Sequence, residues 1–178
     1  PKTMYDMMIP YVKNQAKFKD IEYYLFDENP YIDEPYGPNW KDMQELFFKA
    51  ANIPDERIHI MTSNDWQDYD NKIRNAGGID VMVIGLGYDG HFCGNCPRCT
   101  PFDSYTYCID FKKKQAVNPD YGDRPQQPHT LTMGPKSLMR VKHLVMIVNG
   151  KEKAEIFKRF LDEPVNQDVP ATILKLHP

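Results

Sequence analysis

Apolar residues along the chain follow two rhythms, one recurring every three or four positions and one running without interruption. Met4, Met7, Met8, Tyr11 and Val12 keep the first rhythm after an opening proline, which predicts a helix. Residues 21–26 keep the second and end on Asp27-Glu28, which predicts a strand stopping on acids. Three prolines and a glycine in residues 29–38 make a loop, after which Asn39 reads as the cap of a helix carrying Trp40, Met43, Phe47 and Ala50. A short strand is predicted over 57–61. A helix with Trp66, Tyr69, Ile73 and Ala76 on one face follows, stopped by Gly77-Gly78. The unbroken apolar run 79–85 is the kind buried on both faces of a parallel sheet.

Residues 105–109 predict another strand. The polar, proline-rich stretch 110–128 reads as a long loop or lid, with Lys112–Lys114 a solvated charge run. Beyond Met133 the pattern predicts a helix over 135–141, a buried strand over 143–148, a helix over 151–161 and a short apolar segment over 171–176. Strands alternating with helices predict an α/β fold of three layers, a mainly parallel, Rossmann-like sheet with helices on both faces. With 178 residues, one domain spanning 1–178 is expected.

The composition, 41% hydrophobic and 26% charged, excludes a disordered chain. A net charge of −3 with mixed signs gives no basic footprint for nucleic acid and no polybasic membrane patch, and no apolar run is long enough to span a bilayer. The four cysteines, three of them within residues 93–99, do not form a disulfide framework and point to a reducing, cytoplasmic setting.

Candidate chemistry gathers where strands end at their carboxyl edge, the usual ligand site of such sheets. In Gly85-Leu86-Gly87-Tyr88-Asp89-Gly90-His91 the glycines permit tight turns and close approach to a ligand, and Asp89 beside His91 suits an acid/base pair. The competing reading is a glycine turn with a hydrogen-bonded histidine. Asp27, at a strand end, is placed to be a base, or else it caps the loop with Glu28. Lys151 and Lys153 oppose the dipole of the helix they open, which makes sense if an anion binds there and otherwise leaves them solvated. Cys93-x-x-Cys96-x-x-Cys99 has the spacing of a metal site, with Cys108 or His91 as a fourth ligand. Gly94, Asn95 and Pro97 suit an ordinary turn equally, and no metal or other cofactor is expected. His59, His129, His143 and His177 show no ligand spacing.

These residues resemble the glucosamine-6-phosphate deaminase/isomerase and 6-phosphogluconolactonase superfamily, especially its uncharacterised deaminase-like bacterial members. The resemblance rests on Phe26-Asp27-Glu28, Gly77-Gly78-Ile79-Asp80 leading into Gly-x-Gly-x-Asp-Gly-His, Thr132-Met133-Gly134, Val148-x-Gly150-x-x-Lys153-Ala154 and the final Leu174–Pro178. It implies a cytoplasmic enzyme acting on a sugar phosphate, with room for a homo-oligomer. Asp27 would be the enolising base, Asp89 and His91 the ring-opening pair, and Gly87 and Lys153 part of the phosphate site. The deaminases follow the asparagine of the signature loop with a glutamate, whereas Asn95 is followed here by Cys96, a thiol largely neutral at pH 7. The effector-binding basic segment of the deaminases has no counterpart around residues 103–108, so no such regulation is expected. The family's first strand and glycine-rich phosphate loop would precede Pro1, which implies a piece of a longer chain. A lactonase, a non-catalytic sugar-phosphate sensor and a cysteine metal module are the alternatives.

Overall fold

The computed structural model describes residues 2–119 and 129–178. Helix α1 (Lys2–Asn14) forms where its rhythm predicts but buries none of its residues, and Met7 and Tyr11 face solvent. The strand expected over 21–26 changes partners along its length. Its first part, β1 (Tyr23–Tyr24), pairs in parallel with β3 (Ile58–His59), and the Leu25 amide still donates to the His59 carbonyl at 3.0 Å. Two residues on, β2 (Asp27–Glu28) pairs antiparallel with β6 (His129–Thr132), which also pairs antiparallel with β5 (Tyr107–Asp110). Tyr69, fully buried, clamps the change of partner, since its hydroxyl donates to the Leu25 carbonyl at 2.7 Å and the His59 carbonyl at 3.0 Å.

Helix α2 (Pro38–Met43) starts on Gly37, and Asn39 lies inside it, not at its cap. The cap is nonlocal. Glu28, 1% exposed, accepts from the amides of Asn29 at 2.8 Å, Asn39 at 3.1 Å and Trp40 at 2.8 Å, so its carboxylate satisfies the helix's first donors. Gly37 is required by close approach, because a Cβ there would stand 1.8 Å from the Asn29 carbonyl oxygen. The helix widens into a π turn over Gln44–Phe48, which drives Phe47 and Phe48 into a small core with Leu25, Ala51, Ile53 and Ile58. Helix α3 (Tyr69–Asn75) stops before Gly77-Gly78, as expected.

The other parallel pair is β4 (Val81–Gly85) with β7 (His143–Ile147). Met82 and Ile84 enter the main core with Leu86, Phe92, Leu131, Met133 and Leu138. On the opposite face Val81 is 57% and Val145 43% exposed, so the run 79–85 is buried on one face only among the described residues. Side-chain character sets which residues tolerate burial, but what covers a face is decided elsewhere in the fold.

Residues 111–117, expected as part of a loop, form helix α4 (Phe111–Val117), and the Asp110 carboxylate caps it by accepting from the Lys112 amide at 2.8 Å. The rest of the expected lid, residues 120–128, lies outside the described residues. Helix α5 (Pro135–Leu138) is shorter than expected. Helix α6 (Ala154–Asp162) follows a 3₁₀ turn over Lys151–Lys153, and the 3₁₀ segment Pro170–Leu176 returns Ala171, Thr172 and Leu174 to the core. No helix among the described residues is long and apolar enough to cross a membrane.

A cavity of about 840 Å³ opens between α1, β1 and β4 and reaches Asp27 and Asn39. β1 and β4, each hydrogen-bonded on one side only among the described residues, both border it. Its lining of Met4, Tyr23, Leu25, Phe47, Val81 and Val83 is apolar and poorly suited to a phosphate, so volume alone does not mark the polar site.

Candidate active site

The turn after β4 is built around His91. The Gly87 amide donates to the His91 carbonyl at 2.8 Å and the Gly90 amide to the Gly87 carbonyl at 3.0 Å, which folds the loop back on itself. His91 Nδ1 stands 2.6 Å from Asp89 Oδ1, and the same oxygen accepts from the His91 amide at 3.0 Å. Asn118, just past α4, donates to Asp89 Oδ2 at 3.3 Å. Burial works to raise the Asp89 carboxyl. The hydrogen bonds and charge of His91, with Asn118, overcome it and hold the group at about 2. Asp89 is therefore an anion at neutral pH. With Nδ1–H given to that anion, the imidazole carries its lone pair on Nε2, the arrangement of a proton shuttle.

Gly87 has a steric role in this dyad, since a Cβ there would lie 2.1 Å from His91 Nδ1 and 2.2 Å from Cε1. Gly87→Ala is expected to expel the ring from its place beside Asp89. Stability should fall by about 1–3 kcal/mol and turnover of any substrate that uses His91 should fall with it. Thermal melts and a steady-state assay check both, and a variant with wild-type turnover would show that His91 is not used.

Asp27 is held by Asn39, whose Nδ2 donates to Asp27 Oδ1 at 2.8 Å and to its carbonyl at 3.1 Å. Burial pushes the Asp27 carboxyl above its ordinary value, against the charges of Lys114 and His91 and the Asn39 hydrogen bond, which pull it down. The couplings of Asp27 to His91 and Lys114 bring the strand end and the signature turn into one cluster. Lys114 is the largest departure from expectation. In place of a solvated charge it is 4% exposed, turned inward by α4, and coupled to Asp27, Asp89, Cys93 and Cys96. Burial lowers its ammonium, and those neighbours oppose the shift. Lys112 and Lys113 remain exposed.

Lys153 reaches the same turn. Its ammonium donates to the Leu86 carbonyl and lies 5.0 Å from the Tyr88 ring centroid. Lys151 stays exposed and takes no part. Asn95 is structural, since its fully buried amide donates to the Met133 carbonyl at 2.8 Å and its oxygen accepts from the Tyr107 hydroxyl at 3.1 Å. Cys96 beside it is fully buried, and burial together with the adjacent Cys99 pushes its thiol up to about 12. Burial also raises Cys93, which senses the charge of Asp27. Among the described residues no group of three or more histidine, cysteine or acidic side chains is arranged to hold a metal ion.

The structure thus gathers Asp27, Asp89 and His91, with Gly87 beneath the ring and Lys153 at the turn's rim. Sequence reasoning missed Asn39, Lys114 and Asn118. For Lys114 a signal existed: Asp110 before Phe111 and three lysines is an N-cap signature, which would have put Phe111, Lys114 and Gln115 on one helical face.

Over residues 1–177 the sequence matches the family described as glucosamine-6-phosphate isomerases/6-phosphogluconolactonase. A glucosamine-6-phosphate deaminase of Clostridium acetobutylicum is 32% identical over 189 residues, covering 99% of this chain and 78% of that protein. One from Lysinibacillus sphaericus is also 32% identical, covering all of this chain and 79% of the relative. Among solved structures, a monomeric glucosamine-6-phosphate deaminase superposes with a TM-score of 0.81 at 25% identity, covering 100% of this chain and 78% of that one. The 6-phosphogluconolactonase of Thermotoga maritima superposes with a TM-score of 0.73 at 20% identity, over 97% of this chain and 75% of its own, and so shares the fold. The expected α/β class holds, and the chain belongs to the glucosamine-6-phosphate isomerase/6-phosphogluconolactonase family of enzymes.

Proposed function

We propose that the chain opens the ring of a hexose 6-phosphate, glucosamine 6-phosphate or a close relative, and enolises the open sugar. The observation that carries this reading is the Asp89–His91 pair, 2.6 Å apart in the turn beyond the carboxyl end of β4, with Asp27 and the buried Lys114 near enough to shift each other's ionisation. His91 moves the proton to and from the ring oxygen through Nε2, with Asp89 fixing the tautomer at Nδ1. Asp27 carries the proton between C2 and C1. Its raised carboxyl is a stronger base than an exposed aspartate, which suits the weak acidity of a carbon next to a carbonyl. Lys153 and the backbone at Gly87 hold the 6-phosphate at the rim of the turn. Ring opening and enolisation are redox-neutral and require no redox cofactor; with an amino group at C2, protonation at C1 leaves an imine that takes up water and expels ammonia to give the ketose.

The test is a steady-state assay of the purified protein on glucosamine 6-phosphate and glucose 6-phosphate, following ketose and ammonia. Ketose 6-phosphate formation abolished by Asp27→Asn supports the reading. Absence of turnover on any hexose 6-phosphate removes it. Cys96 favours a second reading. A neutral thiol held at about 12 supplies no carboxylate where the deaminases have a glutamate, and a lactonase in which His91 activates water does not need one. Hydrolysis of 6-phosphogluconolactone with no ketose formed would select that reading.

A further inference from the structure

Neither proposed reaction uses Cys96-Pro97-Arg98-Cys99, yet its geometry is specific. The Cys99 amide donates to the Cys96 carbonyl at 3.3 Å, which closes a four-residue turn. Proline fixes a negative φ at the second position, and Arg98 takes a φ of +56° at the third, which together define a type II turn. A non-glycine residue in the left-handed region needs support. Arg98 has it from its amide, which donates to the Gln167 carbonyl at 2.9 Å, and from its guanidinium, whose Nε is 2.7 Å from Asp168 Oδ1. The Cys96 carbonyl also accepts from the Thr100 hydroxyl at 2.8 Å. Such a turn brings its end Cα atoms within about 7 Å, the range a disulfide requires, and Cys99 stands near enough to help raise the Cys96 thiol. Cys96 is fully buried while Cys99 is partly exposed, which gives an attacking and a resolving partner.

We infer that Cys96 and Cys99 form a thiol–disulfide site, oxidised by a low-molecular-weight disulfide, that takes no part in the sugar-phosphate reaction but adjoins the helix carrying Lys114. The partly exposed Cys99, as thiolate, attacks one sulfur of the small disulfide, forms a mixed disulfide and expels one thiolate, which takes up a proton. Cys96 then gives up its proton, attacks Cys99 Sγ and expels the second thiolate. Two protein thiols and one small disulfide become one protein disulfide and two small thiols, a two-electron exchange. Because Cys96 is buried and holds its proton tightly, closure accelerates as pH rises.

Closure is felt in α4. In the reduced chain the Cys99 thiol contacts the Lys113 carbonyl at 3.8 Å, one residue before the buried Lys114. Bonding Cys99 to Cys96 removes that donor and frees one tether of the helix.

The experiment equilibrates the protein in glutathione buffers of increasing oxidised fraction, traps free thiols with an alkylating agent and maps the peptides by mass spectrometry. The expected result is joint loss of alkylation at Cys96 and Cys99, with a linked peptide lighter by two hydrogens, reversed by dithiothreitol and unchanged by protein concentration. Hydrogen exchange over residues 111–117 should speed up in the oxidised form. Mapping needs only the wild-type chain, and Cys99→Ser should abolish the linked peptide. A lasting glutathione adduct on Cys99 with Cys96 still alkylated, a link through Cys93 or Cys108, or two alkylatable thiols in fully oxidised glutathione would each overturn the assignment. Unchanged exchange over 111–117 would overturn the coupling to α4.

Discussion

Asp27→Asn is expected to lower kcat on a hexose 6-phosphate by about 10²- to 10⁴-fold, the usual contribution of a positioned general base. KM should change little, because the proposed phosphate site, at Lys153 and the signature turn, does not include Asp27. The same substitution should stabilise the protein at neutral pH. Burial holds the Asp27 carboxyl above its unfolded value, so between those two values the folded chain binds more protons than the unfolded one. Stability contributed by this group is then full below the unfolded value, about 3.9, and is lost as pH rises through the folded one. At pH 7 burying this carboxyl costs the fold either a desolvated charge or the uptake of a proton, and an amide of the same shape removes that cost while its oxygen still accepts from Asn39. Thermal melts across pH should give the variant the higher Tm at neutral pH, with the gap closing toward pH 4. A lower Tm at neutral pH with unchanged turnover would contradict both the environment and the role assigned to Asp27.

The site's two anchor points are readable because they depend on local rules. A glycine-broken turn after an apolar strand is a sequence feature and stands where expected, and the acid expected just past a strand is in fact the first residue of β2, where the strand has changed partners. What stays hidden depends on partners far along the chain. Asn39 is a good N-cap by composition, but the buried carboxylate of Glu28 takes the helix's first amides, and Asn39 turns its side chain to Asp27 instead. The exchange of β3 for β6 as the neighbour of residues 23–28 leaves no trace in that strand, because two residues per partner are too few for either pairing's side-chain pattern to register. Lys114 is hidden for another reason. A run of three lysines reads as solvated unless the helix that turns one of them inward is recognised first.

The residue at position 96 bears on the charge of the proposed site and not on the shape of its loop. Asn95 still braces the loop through Met133 and Tyr107, so the turn keeps its shape whatever follows it. The thiol at position 96 supplies no anion, and the cluster's fixed negative charge comes from Asp89, whose carboxyl stays ionised down to about pH 2. Asp27 supplies a second negative charge once it ionises, and the buried Lys114 is the cation both carboxylates share.

Removing that shared cation has a sign that a purely structural role does not produce. The charge of Lys114 lowers the Asp27 carboxyl against the burial that raises it. In Lys114→Met the opposing charge is gone, Asp27 takes up its proton at higher pH, and the acid limb of the kcat/KM profile moves up. An adjacent cation favours the ionised form of an aspartate, so its removal is expected to shift the limb upward. Activity governed by Asp27 is present above its folded value and lost as pH falls through it, so on the acid limb the variant should be far slower than the wild type and on the plateau above it much closer. Lys114→Arg, which keeps the charge, should return the limb toward its original position even if the larger guanidinium slows turnover. A mere packing defect would lower activity evenly at all pH values and leave the limb where it was. The double variant Asp27→Asn with Lys114→Met sharpens the test. With the carboxylate already absent, deleting the cation should cost less stability than it does in the wild type, and a coupling energy near zero in that cycle would mean that the two side chains do not act on each other.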